Sequence, residues 1–132
     1  MSTNIEIIRK LYGDFQQAKV DAILAVCTED TAWTIPGSPA LPYAGTHRGK
    51  SAVGAFFASL GSTLSITEFT PQSYIQEGEW VWVAGHYAGQ NPVGPGKFHS
   101  SWVHRWRLTE GKVCELHDHF DTLAVARAVG RG

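Results

Sequence analysis

From Leu64 onward the chain is patterned almost entirely as strand. Four alternating runs, Leu64–Gln76, Trp80–Gln90, Lys97–Leu108 and Val113–Phe120, are separated by Glu77-Gly78-Glu79, by the loop Asn91–Gly96, and by Thr109-Glu110-Gly111-Lys112. Glycine-bearing turns between such runs make hairpins, and consecutive hairpins make an antiparallel meander. The first half of the chain supplies helices to cover one face of it. Ile5, Ile8, Leu11, Tyr12 and Phe15 recur at helical spacing within Ser2–Ala18, with Ser2, Thr3 or Asn4 placed to cap the start. A short second helix is predicted from a cap at Asp21 through Val26, and a third over Gly49–Leu60, with Val53, Phe56, Phe57 and Leu60 on one side. Thr31–Ile35 reads as a short strand. Pro36–Pro42, with three prolines and a glycine, reads as a loop suited to a pocket rim. The sum is an α+β fold in one domain over residues 1–132: N-terminal helices packed on a strongly curved antiparallel sheet.

Composition narrows the partners. The net charge is -1 and there is no basic run, so the electrostatic footprint of nucleic-acid binding is absent. No apolar stretch approaches the ~20 residues of a membrane span. The N-terminal MSTNIEIIRK lacks a charged-then-apolar leader pattern, so a cytoplasmic protein is expected. Cys27 and Cys114 lie far apart in apolar segments without zinc-site spacing, and are expected as buried free thiols. Aromatic residues cluster in Tyr74–Trp82 and Phe98–Trp106, a pattern that suits a cavity walled by rigid rings and equally a large core under a curved sheet.

The chemistry concentrates in Glu110–Leu123, EGKVCELHDHFDTL. Strand alternation puts Val113, Glu115, His117 and His119 on one face, and Cys114, Leu116, Asp118 and Phe120 on the other. A carboxylate in line with Leu116 and Phe120 points to a pocket and to general acid–base work by Asp118, unless a bulge turns it to water. Asp121 precedes the helical run Thr122–Ala128 and suits its cap. His86 alternates with Trp80, Trp82 and Ala84, and His104 with Phe98, Ser100, Trp102 and Trp106. If those faces line the cavity, both imidazoles reach Asp118. Tyr12 is placed to send its hydroxyl into the same space, and Trp33, Phe57, Trp82 and Trp102 are candidate substrate-binding walls. His117 and His119 lie opposite Asp118, so no metal site is expected.

The order of elements resembles the NTF2-like superfamily, and within it the SnoaL-like group with its polyketide cyclases and ketosteroid isomerase relatives. The stretches TAWTIPGSPALPYAGTHRGKSAVGAFF, EGEWVWVAGHYAG and EGKVCELHDHFDTLAVARA carry the resemblance. It implies a cone whose site lies between the helices and the concave sheet face, no cofactor, and a homodimer. The family's final-strand aspartate carries over onto Asp118, and Tyr12 stands where ketosteroid isomerase has its tyrosine. The acids that enzyme uses near Trp33–Pro36 and near Trp102–Trp106 are not in this chain. The implied activity is cofactor-independent isomerisation, cyclisation or dehydration of a small hydrophobic carbonyl or polyketide-like compound. Asp118 would move the proton, and His86, His104 and Tyr12 would orient the substrate or stabilise an enolate oxygen. A non-catalytic ligand-binding or dimerisation module with the same pocket is the alternative.

Overall fold

The computed structural model describes residues 3–130. Its elements are α1 (Asn4–Gln16), α2 (Val20–Ala25), β1 (Cys27–Ile35), β2 (Gly45–Arg48), α3 (Lys50–Thr63), β3 (Ser65–Glu77), β4 (Trp80–Gln90), β5 (Lys97–Thr109), β6 (Lys112–Phe120) and α4 (Thr122–Ala128). Thr3 caps α1 through a reciprocal pair with Glu6: each side chain bonds the other residue's backbone N–H. Ser2, another candidate cap, lies outside the described residues. Ile8, Leu11 and Tyr12 form the buried stripe of α1. In α2 the expected cap is corrected: the N-cap is Lys19, without a side-chain bond, and Asp21 sits in the first turn. Asp21 there complements the partial positive charge of the exposed N–H groups.

The six strands form one sheet in the order β2-β1-β6-β5-β4-β3. The meander β3–β6 is antiparallel throughout, but β1 lies parallel to β6, so the sheet is mixed. β1 also begins four residues earlier than the sequence pattern indicates, and β2 is an added strand pairing with it. Both departures have one cause. An open strand edge accepts a backbone that its own alternation does not advertise: the β6 edge takes β1, and the other edge of β1 takes β2. Glu110 and Gly111, both at positive φ, make the two-residue turn between β5 and β6, the backbone signature of a tight hairpin.

Irregularities bend the sheet. Register shifts occur in β3 between Ile66 and Glu68 and between Pro71 and Ser73, and between β5 and β6 at Arg107/Leu108. Extra residues at such points sharpen the local twist. Pro71 is tolerated because β3 is an edge strand. The bulge at Cys114 corrects the simple alternation of β6: Val113 and Leu116 are both buried, whereas Glu115 and His117 face outward. Curvature also needs missing side chains. A Cβ on Gly85 would collide with the Thr70 carbonyl and would stand 2.5 Å from Trp102 Cζ2.

The core fills the hollow of the sheet, with Ile8 and Leu11 from α1, Val53 and Phe56 from α3, and Trp33, Trp102, Trp106 and Leu116 from the strands. Cys27 is a buried free thiol and Cys114 a half-buried one. Among the described residues, no helix is long and apolar enough to cross a membrane. Gly85→Ala is expected to lower the unfolding free energy by about 2 kcal/mol or more, because backbone has to give way; urea denaturation checks it, and an unchanged midpoint counts against the close approach as the reason for glycine.

Candidate active site

Cross-strand register puts His104 directly opposite Asp118. His104 is buried on the inner face of β5, and Asp118 stands in the inward row of β6 between Leu116 and Phe120. His104 Nε2 stands 3.0 Å from Asp118 Oδ1. That separation is short, yet the ring N–H points out of line, and Oδ1 is buried without a directed hydrogen bond. The two groups therefore interact as charge and dipole, and one carboxylate oxygen keeps its acceptor capacity.

Behind His104 the bonding is fully determined. Trp106 Nε1–H donates to Tyr12 Oη at 2.9 Å. An indole nitrogen only donates, so the tyrosine oxygen accepts there, and its own buried proton has one acceptor within reach, His104 Nδ1, also at 2.9 Å. Nδ1 is thus the acceptor, and neutral imidazole carries its proton on Nε2, the nitrogen beside Asp118. Tyr12 comes from α1 because Ile8 and Leu11 anchor the same stripe. Around it stand Phe69, Trp102 and Trp106, with ring centroids 5.6, 5.8 and 5.9 Å away. Burial pushes its hydroxyl far above the ordinary tyrosine range, with the Asp118 charge adding to the effect and the Trp106 N–H opposing it.

Asp118, His104, Tyr12 and Trp106 line a cavity of about 80 Å³ together with Trp33, Tyr43, Phe56, Phe57, Tyr87 and Trp102. That is roughly half the ~150 Å³ of an engineered apolar cavity able to take up benzene. A ring-sized ligand needs more room than that, and of the lining side chains Phe15, Phe57, Leu60, Ile66, Phe69 and Phe120 are only half-buried. Trp102 stacks on Phe69 at 4.9 Å and on His104 at 4.1 Å, forming a flat aromatic wall. Trp33 meets Trp106 edge-on at 5.2 Å and bonds Thr31 through its indole N–H.

The sequence candidates divide by sheet face. The structure brings Asp118, His104, Tyr12, Trp33, Phe57 and Trp102 together around the cavity. It does not bring His86 or Trp82 there. Both lie on the outer face of β4, which is a correction. Trp82 is 43% exposed beneath the Arg105 guanidinium, and the His86 ring faces His99 at 5.5 Å. The reason is the pleat: Val81, Val83 and Tyr87 take the inward positions of β4. His117 and His119 also point outward, and His117 contacts Glu115. Asp121 caps α4, accepting from Ala124 N–H. Among the described residues, no three His, Cys, Asp or Glu side chains gather where one metal ion would sit.

Sequence reasoning missed Tyr43. None of Pro36–Pro42 lines the cavity; the lining residues on either side of it are Ile35 and Tyr43, and the loop folds inward. Two successive turns, Leu41 N–H to the Ser38 carbonyl and Ala44 N–H to the Leu41 carbonyl, bury Leu41 and Tyr43. His47 Nε2–H donates to the Tyr43 carbonyl at 2.7 Å and pins the backbone. The available signal was an apolar pair, Leu41 and Tyr43, inside a proline-rich loop.

The chain is a member of the SnoaL-like domain family, whose model matches residues 8–116. An NTF2-like protein from Burkholderia xenovorans LB400 is 32% identical over 98% of this chain and 99% of its own, with a TM-score of 0.86. An NTF2-like protein of unknown function from Burkholderia pseudomallei K96243 is 29% identical over 98% and 99%, with a TM-score of 0.88. TerC, crystallised with polyporic acid, is 27% identical over 97% and 98%, with a TM-score of 0.88. No curated protein matches the sequence.

Buried acids of high pKa make stability sensitive to alkali. Burial pushes the Cys27 thiol from 9.0 up to about 11, and raises Tyr12, Tyr43 and Tyr87 above the ordinary 10. A raised pKa means that the folded state holds the proton more tightly. The stability it contributes is complete below the unfolded pKa and is lost as pH climbs toward the folded one. Urea titrations are expected to show a loss starting near pH 9, with roughly 2–3 kcal/mol from Cys27 by pH 11 and a steeper fall above pH 10 from the tyrosines. Cys27→Ala should flatten the limb between pH 9 and 10; an unaltered limb assigns it elsewhere.

Proposed function

We propose that this protein binds a small hydrophobic carbonyl compound in the aromatic cavity and catalyses cofactor-independent acid–base chemistry on it, with Asp118 as the base. The carrying observation is Asp118 Oδ1, a buried carboxylate oxygen with no aligned donor, on a wall otherwise built of rings and aliphatic side chains. An acceptor with spare capacity in water-poor surroundings is what proton abstraction from carbon requires. His104 Nε2–H beside it favours the carboxylate orientation and eases the charge change during transfer. Tyr12 and Trp106 act as positioning residues, holding the imidazole in one tautomer. Isomerisation, cyclisation and dehydration all begin with such a step, and the likeness to TerC adds polyporic acid as a first ligand to try.

The test joins binding and turnover. Polyporic acid and a panel of aromatic ketones are screened by thermal shift, and each ligand found is then assayed with wild-type and Asp118→Asn protein. Asn keeps the shape but cannot take the proton, so turnover is expected to fall roughly 10²–10⁴-fold with binding retained. Equal turnover in both proteins removes Asp118 as base. Binding without turnover in wild type makes the chain a binding module.

The outer sheet face supports a homodimer as partner. Ile75, 66% exposed, pairs with Trp82 across β3 and β4, and Val103 lies beside Ala84 on β5. An apolar strip of this kind on a sheet suits a second copy. Sedimentation is expected to give a dimer for wild type and a monomer for Trp82→Glu. A monomeric wild type overturns the assignment.

A further inference from the structure

Resting on the base assignment above, one question is left open by the hydrogen-bond network: which group receives the substrate oxygen. Tyr12 stands in the expected place, but its hydroxyl is already spent. It accepts from Trp106 and donates its only proton to His104. The free donors lie elsewhere in the same cavity. Tyr43 Oη and Trp102 Nε1 are buried without hydrogen-bond partners, and both side chains line the space that holds Asp118. An unpaired polar group costs folding free energy. At Tyr43 a phenylalanine would fill the same volume without that cost, so the hydroxyl works against stability where it stands. Local structure explains how it is kept there: the Leu41 and Ala44 turns and the His47 bond hold the loop, and Phe56 packs edge-on against the ring at 6.1 Å. Trp102 packs against both Phe69 and His104, with Gly85 beside it, which restricts the direction of its N–H. Burial, with the Asp118 charge nearby, keeps the Tyr43 hydroxyl protonated and therefore a donor.

We propose that Tyr43 Oη–H and Trp102 Nε1–H form the oxygen-binding pair of the site, in the cavity they line with Asp118, and that the substrate class is a flat, ring-conjugated ketone with acidic hydrogens on the carbon next to the carbonyl. The polar inventory of the cavity matches that class: one acceptor for the leaving proton and two donors for the oxygen. Asp118 takes the α-hydrogen as a proton, and the C–H electron pair becomes the C=C bond of the enolate. The carbonyl π pair moves to oxygen, where the two donors meet the new charge. The carboxylic acid then returns the proton to carbon, so the step balances with no other reactant. A carboxylate is a weak base, so the hydrogens must be activated by conjugation as well as by the carbonyl.

Two probes test the pair separately from the base. The first is exchange of the α-hydrogens of 2-indanone with deuterated water, followed by NMR. The second is calorimetric binding of 4-chlorophenol, an enol mimic whose oxygen donates and accepts at once. Wild type is expected to catalyse exchange, and Asp118→Asn to lose it. Tyr43→Phe should slow exchange roughly 10²-fold while its Michaelis constant stays within about threefold, because the donors grip the enolate more than the ketone. It should also weaken 4-chlorophenol binding and leave the protein at least as stable as wild type. Trp102→Phe, used after its folding is checked by circular dichroism, should act in the same direction. Exchange lost in Asp118→Asn but unchanged in Tyr43→Phe and Trp102→Phe overturns the pair and leaves the base standing. No exchange in wild type, with 4-chlorophenol binding still weakened by Tyr43→Phe, overturns the enolisation reading and keeps the pair as a ligand-oxygen site. Binding indifferent to both substitutions removes the pair altogether.

Discussion

Tyr12 Oη is the point at which helix and sheet are tied together, and the arrangement of the site follows from it. The oxygen accepts from Trp106 and donates to His104, two residues on the same inward face of β5. Those bonds join α1 to the middle of the sheet inside an apolar interior, where a misplaced hydroxyl would be costly. They also decide which imidazole nitrogen carries the proton. Because Nδ1 is occupied as an acceptor, Nε2 carries the proton, and the carboxylate lies beside a donor nitrogen, out of line with its N–H, rather than beside a lone pair. A helix packed a turn away would leave the histidine tautomer free and the carboxylate without a defined neighbour.

The rest of the cavity is a balance of opposing tendencies. Rings from seven elements and from Tyr43 in the loop before β2 shield it, and their burial is favourable at about 25 cal/mol per Å² of apolar surface. Against that stand three polar atoms without aligned partners, Asp118 Oδ1, Trp102 Nε1 and Tyr43 Oη. Each costs about 1–3 kcal/mol. A core built only for stability pairs such groups or replaces them. Their placement around one small space is what separates this interior from ordinary packing. The bend that creates the space is itself built from bulges and from Gly85, where no side chain fits.

Much of this was readable from residues. The four long strands, their glycine turns, the α1 stripe and the Asp121 cap follow from local rules, because period, turn chemistry and capping act over a few residues. Asp118 stood out because a carboxylate shares a strand face with Leu116 and Phe120. The parallel pairing of β1 with β6, the added strand β2 and the bulge at Cys114 were not readable, since each depends on which backbone a strand pairs with and in what register, not on its own side-chain pattern. Tyr43 was hidden for the same reason: a proline-rich loop declares a turn, and only long-range packing decides whether that turn folds inward.

The sequence by itself determined which side chains travel together. Alternation grouped His86 with Trp80 and Trp82, and His104 with Trp102 and Trp106, and both groupings hold along β4 and β5. Alternation does not say which group faces the hollow, because a pleated strand is symmetric with respect to its two faces until something covers one. Tertiary structure decided that. The apolar stripe of α1 packs against the His104 face, turning Asp118 and its neighbours inward and leaving His86 and Trp82 outside.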